Sequence, residues 1–258
     1  YRPLNQYNWF QKLKALDNLE EVKSRLIEEP STERETMKAI PILSEISDSV
    51  SSKVRKQYEE NPYPRWVKIG LPLKARLISE ICSAKNLHLN SKSIQNEVAP
   101  NILVAGCGTG QHSIETASTF SNCQVTAVDL SLASLAYAKR KTSELGINNI
   151  EYLQADILNL NQLKKKFDII ESVGVLHHMD EPMVGWRVLT DLLKPNGLMR
   201  IGLYSELARL QITEVRKEII SQKVGTSDTD IKKFRQSLMA SHNEHHQLLT
   251  KSSDFFSL

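Results

Sequence analysis

The sequence has no apolar run approaching the roughly 20 residues that span a bilayer, so no membrane span is expected. Its cysteines are few. Cys82, Cys107 and Cys123 show no framework spacing, which excludes a disulfide-stapled secreted domain and points to reduced thiols in the cytoplasm. Net charge is small as well, 33 Lys and Arg against 30 Asp and Glu, or +3. The basic clusters Lys139–Arg140–Lys141 and Lys164–Lys165–Lys166 read as solvated faces; a nucleic-acid footprint needs a larger basic excess. No internal repeat is visible. The first residue is Tyr1, not Met, so a fragment or a processed chain is expected, and residues 1–20 alternate too often to be a signal peptide. What is present, 258 residues with 40% hydrophobic and 24% charged, suits one full-sized soluble domain plus an accessory segment.

Residues 1–57 read as a charged helical extension. Leu13, Leu16, Leu19, Val22 and Leu26 recur at helical spacing, and Pro30 with Ser31 should end that helix. After Pro41, the residues Ile42, Leu43 and Ile46 suggest a short apolar turn. Residues 58–95 form a lid-like lead-in to the core. Pro62 and Pro64 exclude a regular helix at 58–66. Tyr58, Tyr63 and Trp66 there could cover a pocket or fill a gap in the core, and both readings stay open. A helix is predicted at 71–89 with Leu73, Leu77, Ile78 and Ile81 on one side, and 90–100 reads as a linker.

Residues 96–205 change pattern. Apolar strands at 101–105, 124–128, 150–154, 167–173 and 198–203 alternate with helices at 111–120, 131–145 and 184–193. Ser131 suits an N-cap and Gly146 a C-terminal cap. This predicts an α/β fold, Rossmann-like and doubly wound, with a mainly parallel sheet. Residues 206–258 read as a helical segment on the substrate side. Leu207, Leu210, Val215 and Ile219 form one apolar face, and Asp228 or Thr229 caps a further helix.

Chemistry is expected at the carboxyl ends of the strands. Gly106-Cys107-Gly108-Thr109-Gly110 turns sharply after the first strand, and its G-x-G-x-G spacing departs from the G-x-G-x-x-G of dinucleotide sites. Asp129, 19 residues after Gly110, can accept from both hydroxyls of a ribose, and Leu130 follows it. Asp156 can accept from an adenine amine, with Ile157 against the ring. Ser172 ends the fourth strand. In the turn beyond it, adjacent His177 and His178 are expected to point to different sides, which argues against joint metal binding. His177 could be a general base or a structural histidine. The cluster His242, His245, His246 reads as a solvated helix face, and no metal is required.

These motifs, in this order, resemble class I S-adenosylmethionine-dependent methyltransferases over residues 96–205. Val104-Ala-Gly-Cys-Gly-Thr-Gly110 is similar to the glycine loop of that family and Val125-Thr-Ala-Val-Asp-Leu-Ser131 to its ribose segment. Gln154-Ala-Asp-Ile-Leu158 is similar to its adenine segment, Phe167 to His178 to its fourth-strand motif, and Leu192-Leu-Lys-Pro-Asn-Gly-Leu-Met199 to its turn into strand five. The resemblance implies an enzyme that binds S-adenosylmethionine at Gly106, Cys107, Gly108, Gly110, Asp129, Leu130, Asp156, Ile157 and Ser172. His177 and Tyr204 would lie near the acceptor atom, a small molecule or a protein side chain. Gln57 to Trp66, Asp129 to Tyr137 and Gly202 to Glu206 resemble a bacterial subgroup fused behind tetratricopeptide repeats, which implies such repeats upstream. Two other readings are carried: a nicotinamide-dependent oxidoreductase and a non-catalytic S-adenosylmethionine-binding module. The class I fold normally closes with two further strands. No good candidates for both follow residue 205, so the sequence is expected to stop short of them or the sheet to be reduced.

Overall fold

The computed structural model of the protein describes residues 7–9, 19–252 and 255. They form two compact units that divide between Gly202 and Leu203. The first unit contains a five-stranded sheet of β1 (Asn101–Ala105), β2 (Gln124–Asp129), β3 (Ile150–Gln154), β4 (Phe167–Val173) and β5 (Leu193–Gly202). The order is β3-β2-β1-β4-β5, and every pairing is parallel. Helices cover both faces, so the strands need apolar residues at successive positions. Ile102 and Val104 enter one core with Val125 and Leu135, whereas Leu103 enters the other with Phe167, Ile170 and Leu189. Burying each such side chain contributes about 1.5–3 kcal/mol.

Helix α1 runs as Glu20–Lys23, a wide π turn Ser24–Glu28 and then Glu29–Lys38. Leu13 and Leu16 lie outside the described residues, and Leu19, Val22 and Leu26 are exposed, so the leucine spacing marks no buried face. Nor does Pro30 end the helix. It enters the α-helical stretch at its first turn, directly after the π turn, where a missing N–H costs little. What α1 buries is Pro30 and Glu33. Helix α2 (Ser49–Glu60) is capped by Asp48, whose carboxylate accepts from Val50 N at 3.0 Å and Ser51 N at 2.7 Å. Between these helices, Leu43 N donates to Gln154 O and Gln154 N to Pro41 O, each at 2.9 Å. The expected apolar turn is therefore a short bridge covering the outer edge of β3 at its carboxyl end.

Helix α3 (Ile78–Ala84) is much shorter than the predicted 71–89. Pro72 disfavours helix before it, Leu73 is fully exposed, and Arg76 spends its backbone on a bridge to Phe120. The expected linker contains one turn, α4 (Lys92–Gln95), which buries Ile94. Helices α5 (Gln111–Thr119), α6 (Leu132–Glu144) and α7 (Pro182–Leu192) flank the sheet. Ser131 caps α6 by accepting from Ser134 N at 3.0 Å, and Gly146 beyond its end has φ +69°. Strand β5 starts directly at Leu193. The expected turn at Pro195–Gly197 is thus absorbed into the ladder, whose register slips between Phe167 and Ile169.

A buried ion cluster ties α1 to α6. Arg140 Nε donates to Glu33 Oε1 at 3.0 Å, and one Nη lies 2.9 Å from Glu29. Glu144, one turn along, takes the other Nη, and Arg65 reaches Glu33 at 3.1 Å. The Tyr137 ring packs against the guanidinium groups of both Arg65 and Arg140.

The second unit consists of α8 (Leu210–Ser221), α9 (Asp228–Ala240) and α10 (Glu244–Thr250). Val215, Leu238 and Phe255 form its core, while Leu207 is exposed rather than on the face with Val215. Ser227, not Asp228 or Thr229, caps α9. His246 pairs with Glu218 at 2.8 Å. Among the described residues no group of three His, Cys, Asp or Glu could hold a metal, no strand follows β5, and no helix is long and apolar enough to cross a membrane.

Candidate active site

Strand order reverses between β1 and β4, and in open α/β sheets the crevice beyond the carboxyl ends at such a reversal binds the ligand. The glycine loop leaves β1 at this point. Gly106 N and Cys107 N both donate to Val128 O of β2, which folds the loop over the neighbouring strand. Gly108 N donates to Asp129 Oδ2 at 2.8 Å, and Ser131 N to Oδ1 at 3.0 Å. Burial pushes the Asp129 carboxyl up, against the pull of these N–H groups, and the charge of Glu59 adds to the rise. Each oxygen still has a lone pair for a ligand hydroxyl. Leu130 O accepts from Gln154 Nε2 at 2.8 Å, which fixes the turn beyond Asp129. Cys107 is buried, and burial together with the Asp129 charge pushes its thiol well up, so it packs as a neutral group.

Two glycines of the loop answer different demands. At Gly110, φ +87°, a Cβ would come within 2.5 Å of Ala138 Cβ, so glycine permits the close approach of α5 to α6. At Gly108, φ +52°, the nearest atom to a Cβ would be Tyr63 O at 3.7 Å, so the space above it is free for a ligand.

Beyond β3, Asp156 accepts from Leu158 N at 3.0 Å through Oδ1, while Oδ2 is buried with no hydrogen-bond partner among the described residues. Ile157 next to it is buried against Leu160 and starts a 3-10 turn, Ile157–Leu163. Ser172, at the end of β4, is fully buried and its Oγ likewise has no partner among the described residues. Buried polar atoms are almost always satisfied. Two exceptions at the ends of strands flanking the glycine loop fit a ligand with an amine to donate and polar groups to share, as adenosylmethionine has.

His177 and His178 do not point apart. They lie in a 3-10 turn, Leu176–His178, where successive residues rotate by about 120° and not by the 180° of a strand, and their rings pack 4.2 Å apart. His177 is half-buried and His178 exposed. Tyr204 belongs to the second unit, where Arg209 stacks 3.6 Å over its exposed ring. Trp66 resolves one open alternative: it is buried against Ile114 and Tyr137, a core residue, whereas Tyr63 is exposed.

The structure adds residues that sequence reading passed over. Glu171, buried on β4, accepts from Thr116 Oγ1 at 2.5 Å and lies 3.1 Å from His112 Nε2 and 3.4 Å from Arg200. Burial alone would raise its carboxyl; the bond and charge of His112 and the Thr116 hydroxyl outweigh it and hold the group below the usual carboxylate range. A depressed folded-state value stabilises the protein above the usual range and stops doing so as pH falls through it. Glu171→Gln should therefore cost about 1–3 kcal/mol near neutral pH. In urea titrations the gap from wild type should close towards pH 3; a gap constant with pH would remove the charge from the account.

Residues 102–197 match the family model of the methyltransferase domain. The matched stretch takes in β1 to β4 and the start of β5, and the core has a Rossmann-like α/β fold. An uncharacterized protein of Synechococcus sp. is 36% identical over 121 residues, 46% of this chain and 29% of that protein. The malonyl-[acyl-carrier protein] O-methyltransferase of Halalkalibacterium halodurans is 33% identical over 106 residues, 40% of this chain and 38% of that protein. Among solved structures, PKMT2 from Rickettsia typhi in complex with AdoHcy superposes with a TM-score of 0.50 at 24% identity, covering 60% of this chain and 34% of that one. The chain thus spans between 29% and 38% of the length of these three proteins.

Proposed function

We propose that this chain binds S-adenosylmethionine and transfers its methyl group to an acceptor, a small molecule or a protein side chain. One observation carries the reading: within a stretch that matches the methyltransferase domain family, Asp156 Oδ2 and Ser172 Oγ are buried without partners on either side of a glycine loop braced by Asp129. The cofactor supplies an already activated sulfonium methyl, so the protein contributes orientation and exclusion of water. Gly106, Cys107, Gly108 and Gly110 present backbone to the methionine part. Asp129 and Leu130 hold the ribose, Asp156 and Ile157 the adenine, and Ser172 the methionine side. His177 stands as an acceptor-side residue able to take the acceptor proton. A methyl-transfer enzyme on a carrier-bound carboxylic substrate, to which the Halalkalibacterium protein's name attests, is one example of what such a domain serves. The resemblance of residues 57–66 to the repeat-fused subgroup supports tetratricopeptide repeats upstream. The three free, buried cysteines support a cytoplasmic setting. Residues 58–95 serve as the lead-in to the core.

Calorimetric titration with S-adenosylhomocysteine tests this. Micromolar affinity is expected for the wild-type chain, falling on the order of a hundredfold in Asp129→Ala, because two charge-assisted hydrogen bonds to the ribose go. Preference for NAD in the parallel titration would turn the reading to an oxidoreductase. Tight binding with no methyl transfer to any acceptor pool would turn it to a binding module.

A further inference from the structure

The segment 58–66, rich in proline and aromatic residues, begins in the last turn of α2, which runs to Glu60 despite the prolines that follow it, and crosses two of the elements assigned above to the cofactor. At one end, Ser131 Oγ donates to Glu59 Oε2 at 2.8 Å and lies 3.1 Å from Tyr58 O, and Ala133 N donates to the same Glu59 oxygen at 3.2 Å. These contacts sit on the turn from Asp129 into α6. At the other end, Thr109 Oγ1 donates to Pro64 O at 2.6 Å, and Trp66 Nε1 donates to Thr109 O at 3.0 Å. The Tyr137 hydroxyl then donates to Trp66 O. Thr109 is the central peptide of the glycine loop's second half, and its hydroxyl and carbonyl are both taken by the segment. Its side chain is 1% exposed, so it is not offered to a ligand.

We propose that residues 58–66 form a strap that is part of the cofactor site, with Thr109 and Trp66 as positioning residues that set the glycine loop for the methionine end of S-adenosylmethionine. The inference rests on the cofactor reading above. Two reciprocal hydrogen bonds fix one peptide in both directions. Releasing them leaves the loop its three glycines, each with positive φ, and so free to take up other conformations. The ribose and adenine are held elsewhere, at Asp129 and Asp156. Loss of the strap contact at Thr109 should therefore be felt by ligands that carry the amino-acid part and little by those that lack it. A residue that serves only folding would weaken both alike.

The experiment is calorimetric titration of the full chain with S-adenosylhomocysteine and, separately, with adenosine. Thr109→Val keeps the shape and removes the donated hydrogen bond. It should weaken S-adenosylhomocysteine about tenfold and adenosine less than about twofold. Thr109→Ser should restore wild-type affinity for both, and Trp66→Phe, which keeps the ring and loses the indole N–H, should repeat the pattern of Thr109→Val. Circular dichroism and thermal unfolding establish that each variant is folded. Equal weakening of the two ligands, or no weakening of either, overturns the strap while leaving the cofactor reading intact. A wild-type chain that binds neither ligand overturns both.

Discussion

Gly110→Ala should lower unfolding free energy by about 2–5 kcal/mol, the sum of a left-handed backbone imposed on an L side chain and of overpacking. At this chain length that is a fall of about 5–15 °C in the midpoint of thermal unfolding. Two features combine at this position. Its φ of +87° lies where an alanine is strained, and the new methyl would meet Ala138 Cβ at 2.5 Å and Ala138 Cα at 2.9 Å. The second contact is backbone, so no side-chain rotation relieves it; α5 or α6 must move. Gly108→Ala is the control. It carries the same left-handed strain, but its nearest neighbour is at 3.7 Å. It should cost about 1–2 kcal/mol and instead abolish measurable binding of S-adenosylhomocysteine, because the methyl enters the space kept for the ligand. Equal melting points for the two variants would show that the helices separate at no cost.

Arg140→Met should destabilise the chain by about 3 kcal/mol, read from urea unfolding. The guanidinium is 6% exposed and faces Glu29, Glu33 and Glu144. Methionine fills the volume but leaves Glu33, itself 10% exposed, with Arg65 as its remaining partner. The cost lies mainly in the stranded carboxylate. Adding Glu33→Leu should accordingly recover a large part of the loss, since an apolar replacement of a whole buried pair is often neutral. Losses that simply add in the double variant would show that Arg140 contributes through packing on Tyr137 and not through charge.

The core was legible because its elements obey local rules. Runs such as Ile102-Leu103-Val104 are apolar at successive positions, as strands covered on both faces must be, and the first four strands fall where the pattern puts them, while the fifth begins five residues early, at Leu193. Ser131 and Gly146 bracket α6 as expected because capping depends on residues within one turn. What could not be read depends on partners far along the chain. Arg76 bridges to Phe120 instead of continuing a helix, and nothing near Arg76 says so. Pro30 is tolerated because a π turn precedes it, which no periodicity announces. At the site, Gly106 to Gly110, Asp129 and Asp156 carry their signals in spacing. Glu171 read as one more strand residue, since only the fold places His112 and Thr116 beside it. Trp66 stood in a suggestive segment, but its choice between core and cover rests on Thr109 and Tyr137.

The strap also has an order of synthesis. Its hydrogen bonds reach forward 43 to 74 residues, to Thr109, Ser131, Ala133 and Tyr137. At roughly 5–20 residues per second on the ribosome, the aromatic segment emerges several seconds before the surfaces that receive it are made. During that interval the Trp66 ring has no dock, and α6 must be complete before it gains one. Contacts of such separation form late in a nascent domain. The strap can therefore lock the glycine loop only once residues 109–137 have been made, well after the strap itself has left the ribosome.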